Sequence, residues 1–470
     1  MIEAELSPLD PGAFRSVLDP SRFDAFESAL DVGRDALEDR TLWHVNSTLA
    51  GGGVAELLSS VARYLIGSGI RCRWMALEGN DEFFVVTKRL HHLLHGKAGD
   101  GGHLGDPEAS IYESALAAQC GLLVDQVRSG DVVVLHDPQP AGLAPTLRDL
   151  GARVIWACHV GADTTNEHTE EAWRFLLPAV SKSEAQVFSR RQYVWDGLDD
   201  DRIEIIPPCI DAFSPKNRDL EPDRVAGILT AAGVLPGPSK EARLLRQDGT
   251  SAPVSWPAEL IEEAPIPPGA PVVTQVSRWD PLKDHSGLAE AFAEGVPAEL
   301  GAHLVLAGPS PDAVGDDPEG QATLDDLRAC VAALPGPAQR RTHIACLPMH
   351  DVEENATVVN ALQRHARVVV QKSLAEGFGL TVAEAMWKGR PTVASAVGGI
   401  CDQIEDGVSG ILVEDPEDTA AFARAIARLL SDDVEAARLG AAGHTSVVDH
   451  HLAPTYLSRY LALTQRVIGG

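Results

Sequence analysis

Residues 366–399, ARVVVQKSLAEGFGLTVAEAMWKGRPTVASAVGG, leave the chain few folds to choose from. The apolar triplet Val368, Val369, Val370 predicts a strand buried on both faces, as in parallel sheets. Glu376-Gly377-Phe378-Gly379 predicts a turn, residues 380–388 a helix stopped by Gly389, and Pro391 opens the next strand. That order puts backbone N–H groups of Gly377, Phe378, Gly379 and Leu380 at a helix N-terminus, where phosphate is favoured. Glu376 and Glu384 flank this anion site. A carboxylate beside a phosphate is repulsive unless it accepts from hydroxyls, so both read as acceptors for OH groups of a sugar or a ribose. Singly, each has a plainer reading: Glu376 as an acid complementing the helix dipole, Glu384 as a solvated helix position. The glycine turn and a second small-residue turn, Ala396-Val397-Gly398-Gly399, favour the ligand reading.

Charge narrows the partners. The 470 residues carry 39 Lys and Arg against 68 Asp and Glu, a formal net charge of −29. Nucleic acid and anionic membranes are gripped by clustered Lys and Arg, so neither is expected as a partner. Phosphate on a small ligand stays compatible, because two basic side chains and a helix N-terminus suffice locally. Seven cysteines (Cys72, Cys120, Cys158, Cys209, Cys330, Cys346, Cys401) are scattered without a C-x-x-C pair. They predict small buried residues of a reduced protein, with neither a disulfide framework nor a zinc site. The acidic start MIEAELSPLDPG and the lack of an apolar run of spanning length predict a soluble cytoplasmic enzyme.

Strand and helix patterns alternate, predicting an α/β chain of about two to three domains. Helices over 12–40 precede a first strand at 41–45. Then comes Asn46-Ser47-Thr48-Leu49-Ala50-Gly51-Gly52-Gly53 and a helix at 54–67, a second anion cradle whose glycines fit neither G-x-G-x-x-G nor the P-loop. A strand at 131–135 ends in His136-Asp137-Pro138-Gln139-Pro140, and one at 153–157 ends in Cys158-His159. Polar residues at C-terminal strand ends are where open α/β sheets place ligands. His91, His92 and His95 share a helix but lack a carboxylate partner motif, so they read as a solvated or substrate-proximal face, not a metal site. The Gly-rich loop at 96–107 is expected to be mobile. Residues 218–270 read as an insertion, with a hairpin around Asp248-Gly249 and no chemistry of its own. A second α/β series begins at 271–277, followed by Arg278-Trp279-Asp280-Pro281-Leu282-Lys283-Asp284-His285. Two α/β halves with ligand-facing loops imply a cleft between domains.

SRWDPLKD, EGFGLTVAEAMWKGRPTVASAVGG and DGVSGILV, in that order, resemble the nucleotide-sugar domain of retaining GT-B glycosyltransferases. WHVNSTLAGGGVAELL, RWMALEGNDEFFVVTKRLHH, VVLHDPQPAGL and IPPCIDAFSPKN resemble the trehalose glycosyltransferring synthases and trehalose phosphorylase-like members of one GT-B family. The likeness covers nearly the whole chain outside 230–268 and the extreme N-terminus. It implies two Rossmann-like domains facing each other across a deep cleft: 1–210 for the acceptor and 211–450 for the nucleotide sugar, with a C-terminal helix at 451–470 returning to the first.

The resemblance also implies roles. Arg278 and Lys283 would bind the donor's diphosphate, and Glu376 the hydroxyls of the transferred hexose. The N–H groups of Gly377, Phe378 and Gly379, with Leu380 opening the helix, would face sugar or phosphate, and Glu384 would accept from the ribose. Gly52 and Gly53 would let a loop approach the donor, and His159 would lie near the hexose. Asn46, His136, Asp137 and Gln139 would line the acceptor side. Where close relatives carry Arg-Cys-His-Ile-Asp, this chain has Ala157-Cys158-His159-Val160-Gly161, so an arginine and an aspartate are missing. Asp163 follows two residues later, and the acceptor stays open. Trp387 is expected to pack rather than stack on a base.

The activity so implied is reversible transfer of glucose from ADP-, UDP- or GDP-glucose to glucose, forming trehalose with retention. Glu376 is not expected to act as a glycosidase-type nucleophile; the leaving phosphate takes the acceptor's proton. No tightly bound cofactor and no metal is expected, because cationic side chains neutralise the diphosphate. The rivals are a trehalose phosphorylase, a related hexosyltransferase with another acceptor, a hydrolysing sugar-nucleotide epimerase and a silent nucleotide-sugar sensor. Partners are small molecules, with a homodimer left open.

Overall fold

A computed structural model describes residues 1–49, 52–237, 242–311 and 318–469. Ala50 and Gly51 of the glycine loop lie outside the described residues. The chain divides into two units, Met1–Cys209 with His451–Gly470, and Ile210–His450.

In the first unit, β1 (Ile2–Glu3), β2 (Leu42–Asn46), β3 (Cys72–Ala76), β4 (Val132–His136), β5 (Arg153–Cys158), β6 (Ala185–Phe188) and β7 (Ile203–Ile205) form one sheet. Its order is β1-β3-β2-β4-β5-β6-β7, parallel except for β1 against β3. The run VVVLH of β4 is buried at every residue, which only a sheet covered on both faces allows. Asp19 starts the helix Pro20–Ala36 by accepting from the N–H groups of Ser21 and Arg22. The C-terminal helix Ala453–Gly469 packs along it at Gly33, where a Cβ would stand 2.7 Å from the Leu461 side chain. The loop at 96–107, expected to be mobile, is anchored: Arg89 bonds Asp100, Glu108 and the His103 carbonyl.

In the second unit β8 (Arg243–Leu245) and β9 (Ser251–Pro253) form a hairpin whose turn contains Gly249 at φ 83°. The main sheet comprises β10 (Glu259–Ile261), β11 (Val272–Val276), β12 (His303–Pro309), β13 (Thr342–Leu347), β14 (Val368–Gln371), β15 (Thr392–Ser395) and β16 (Ile411–Val413). Its order is β10-β13-β12-β11-β14-β15-β16, with only β10 antiparallel to its neighbour among these strands. The predicted insertion is thus partly built into the sheet, as its edge strand β10. It is further fastened by Arg246 to Asp351 and by Glu354, which accepts from the N–H groups of Ser255 and Trp256.

Both sheets reverse their strand order, between β2 and β4 and between β11 and β14. Loops leaving the two strands at such a reversal diverge to opposite faces and open a crevice at the C-terminal ends. Among the described residues no helix is long and apolar enough to cross a membrane.

Candidate active site

At the reversal in the second unit, the loop leaving β11 is shaped by its own aspartates. Asp280 accepts from the Leu282 N–H at 2.9 Å and caps the short turn Pro281–Lys283. Asp284, at φ 42°, then starts the helix His285–Gly295 and accepts from the Gly287 N–H. A left-handed residue other than glycine costs about 1–2 kcal/mol, so the surroundings must hold it. They do so through Lys372, a fully enclosed lysine just after β14 whose ammonium pairs with the Asp284 carboxylate. Gln275 of β11 completes the brace: its Oε1 accepts from the Lys372 N–H at 2.8 Å and its Nε2 donates to the Lys283 carbonyl at 2.6 Å.

On this brace Lys283 Nζ meets Glu376 Oε2 at 2.8 Å, and the Ser373 hydroxyl donates to the same oxygen at 3.1 Å. The two side chains are 14% and 13% exposed, so the pair is largely sheltered but not sealed from solvent. Arg278 is 64% exposed, with its guanidinium 3.5 Å from Asp280. The glycine turn is backed by the second small-residue turn. Gly379, at φ 83°, opens the helix Leu380–Trp387. The Gly399 N–H donates to the Gly377 carbonyl at 2.9 Å, and a Cβ on Gly399 would fall 2.7 Å from Phe378 Cα. Gln403 also donates to the Phe378 carbonyl.

Glu384 is fully buried, which removes the reading of a solvated helix position. Lys216, from the segment that follows β7, lies 3.2 Å from its Oε1 and balances its charge. Trp387 packs as expected: its indole N–H donates to the Asn217 carbonyl at 2.9 Å, and its ring stacks on His444 at 4.7 Å.

In the first unit the reversal lies between β2 and β4. Gly52, at φ 86°, precedes the helix Gly53–Gly67, and a Cβ there would meet nothing within 4 Å, so backbone conformation rather than space favours glycine. Three imidazoles stack across the strands. His44 Nδ1 lies 2.9 Å from His136 Nε2, and His136 Nδ1 lies 3.0 Å from His159 Nε2. Burial lowers the pKa of His44 to about 4 and that of His136 well below the usual 6.5. It lowers His159 too, against the opposing pull of the Asp137 charge.

This arrangement corrects two expectations. His136 is fully buried with both ring nitrogens engaged, so it stands behind His159 and does not itself line an acceptor surface. Asn46 is buried, and its amide accepts from the Trp74 indole and donates to the Thr48 carbonyl, so it shapes the loop instead of presenting to a ligand. Asp137 holds a left-handed φ of 67° and accepts from the His159 N–H at 2.8 Å. Gln139 is half-buried, and its Oε1 has no partner among the described residues. His91 and His95 lie ring against ring at 4.7 Å, and among the described residues no group of His, Cys, Asp or Glu is arranged to hold a metal ion.

The missing aspartate has a local explanation, whereas nothing in the structure explains the missing arginine at Ala157. A Cβ at Gly161 would fall 2.2 Å from Tyr193 Cγ, so the Tyr193 ring occupies the room a longer side chain would need. Asp163 instead pairs with Arg190 at 2.6 Å.

Residues 258–445 match the family glycosyl transferases group 1, and residues 44–195 match the N-terminal domain of trehalose synthase. The Anabaena HepE protein, solved with UDP and glucose, superposes with a TM-score of 0.61 at 15% identity, over 90% of this chain and 98% of that one. Two Rossmann-like units with this strand order define a GT-B glycosyltransferase. The trehalose synthase of Rubrobacter xylanophilus is 34% identical over 429 residues, 91% of this chain and 90% of the relative. The chain belongs to the trehalose synthase family. A trehalose phosphorylase of Pleurotus pulmonarius is more distant, 24% identical over 432 residues, covering 86% of this chain and 54% of the relative.

Lys216, Lys372, Gln275 and His44 were missed in the sequence. Each acts on a partner far along the chain; Lys216 and His44 lie inside the runs IPPCIDAFSPKN and WHVNSTLAGGGVAELL, but nothing in those runs marks the partner, and Lys372 directly follows the β14 run.

Proposed function

We propose that this protein moves glucose from a nucleoside-diphosphate glucose to a hydroxyl of glucose, forming trehalose and the nucleoside diphosphate, reversibly and with retention. The observation that carries the reading is the Lys283–Glu376 pair, held at the strand reversal beside the turn at 377–379. A cation and a hydroxyl acceptor side by side suit the two parts of a sugar diphosphate.

In this reading the C1–O bond to the diphosphate breaks with its electron pair going to the phosphate oxygen. Arg278 and Lys283 stabilise the charge that develops there. The acceptor oxygen bonds to C1 on the same face, and its proton passes to the departing phosphate. Glu376 holds hexose hydroxyls, Glu384 the ribose, and His159 a hydroxyl of the hexose. No cofactor and no metal ion is required for that charge balance. Full-length agreement with a synthase, against half the length of a phosphorylase, supports a nucleotide donor over inorganic phosphate. A screen of ADP-, UDP- and GDP-glucose against glucose and other acceptors tests it. Release of nucleoside diphosphate with a non-reducing disaccharide is expected; trehalose cleavage that needs inorganic phosphate and no nucleotide would replace this reading with the phosphorylase one.

A further inference from the structure

We propose that His44 and His136 are positioning residues that hold His159 as the tautomer protonated on Nδ1, so that it offers a donor, not an acceptor, to a substrate hydroxyl. The inference rests on the assignment of His159 to the hexose in the proposed transfer.

The three rings are joined by two bonds, His44 Nδ1 to His136 Nε2 at 2.9 Å and His136 Nδ1 to His159 Nε2 at 3.0 Å. Their rings stack at centroid distances of 5.2 and 5.3 Å. Burial keeps all three neutral near pH 7, so each ring has one N–H and one lone pair. A shared bond needs one proton, so fixing one ring fixes the others, and two arrangements satisfy both bonds. In the first, all three rings are protonated on Nδ1 and His159 ends the row with an outward N–H. In the second, all three are protonated on Nε2, and His159 ends the row with a lone pair.

The far end of the row decides between them. His44 is buried, and its Nε2 finds no partner among the described residues. The second arrangement would put an N–H there, and an orphaned buried N–H is rarer in folded proteins than an unpaired acceptor. The near end agrees. The Asp137 carboxylate acts on His159, where it draws positive charge, and the first arrangement moves the protons toward that end of the row. His159 is also the ring of the three that reaches the surface, the other two being buried.

The test is a long-range ¹H–¹⁵N correlation spectrum of the full-length protein labelled in histidine nitrogen, read beside steady-state kinetics. The wild-type spectrum is expected to show His159 protonated on Nδ1, with its Nε2 accepting a hydrogen bond. Protonation on Nε2 would overturn the proposal. His136→Asp places a pure acceptor against Nε2 and is expected to switch the His159 tautomer and lower kcat by about tenfold or more, with the donor KM far less affected. His136→Asn, which keeps an amide donor, is expected to recover most of that loss. Equal losses in both variants with the His159 tautomer unchanged would reduce His136 to packing and overturn the proposal. If His136→Asp fails to fold, the wild-type spectrum and His136→Asn still decide. A wild-type spectrum with the expected tautomer in a protein that transfers no glucose would leave the relay standing and sink the reaction; the opposite combination would sink the relay alone.

Discussion

Lys283 Nζ stands 2.8 Å from Glu376 Oε2, an ion pair that joins the loop after β11 to the turn after β14. It sets a positive charge and a carboxylate acceptor side by side at the strand reversal. Lys283→Ala is expected to lower kcat by about 10²–10³, the usual loss when one preorganised donor to a developing anion is removed. Steady-state kinetics with a circular dichroism melt checks this. A folded variant with unchanged turnover would refute the phosphate role.

Beneath that pair, the enclosed Lys372 ammonium is the partner of a left-handed Asp284. Lys372→Met leaves the Asp284 carboxylate without that partner and is expected to destabilise the protein by about 3–5 kcal/mol. Adding Asp284→Asn should recover part of the loss. Urea denaturation of the two single variants and the double variant measures the coupling, and purely additive effects would contradict the brace.

Much of this architecture was legible because parallel strands announce themselves as unbroken apolar runs. Val368–Val369–Val370 and the VVVLH of β4 both fell where expected. The edge strands β1 and β10 were not legible, since two or three residues carry no measurable period. The motif residues Lys283 and Glu376 came out adjacent, whereas Gln275 and Lys372, which brace them, lie outside the motifs SRWDPLKD and EGFG. His44 pairs in register with Val134 and His136 with Ala157, and strand register is set by the whole sheet, not by the five residues around either histidine. Glu384 illustrates the same limit: the local pattern allowed a solvated helix position, whereas the structure buries it fully, with Lys216 from far upstream 3.2 Å away.

Gly161 packs against the base of the Tyr193 side chain with no room for a Cβ. Gly161→Ala is expected to cost about 1–3 kcal/mol by overpacking. The same change in a Tyr193→Ala background should cost clearly less, and thermal melts of the four proteins close the cycle. Equal costs in both backgrounds would show that the ring does not set this site.

His285 is buried against Trp279, and its pKa falls from 6.5 to about 3, chiefly through burial, with Lys283 adding to the drop and Asp280 opposing it. In the unfolded chain it titrates near 6.5. The unfolded state therefore binds more protons between those values, so this contribution is complete above pH 6.5 and is lost as pH falls toward 3. Between pH 7.5 and 5.5 the loss is about 1.4 kcal/mol. His285→Gln, which cannot titrate, should flatten the pH dependence of the unfolding free energy by that amount. A variant with the wild-type slope would contradict the assignment.

The proposed reaction is transfer of a hexosyl group from a nucleoside diphosphate with retention. It is tested most directly by following glucose labelled with ¹³C at C1 in each nucleoside-diphosphate donor, incubated with unlabelled glucose, by NMR. The predicted result is a labelled carbon in an α-linked non-reducing disaccharide, formed in step with nucleoside diphosphate. Label appearing only as free glucose, or staying in every donor while inorganic phosphate cleaves trehalose, would contradict it.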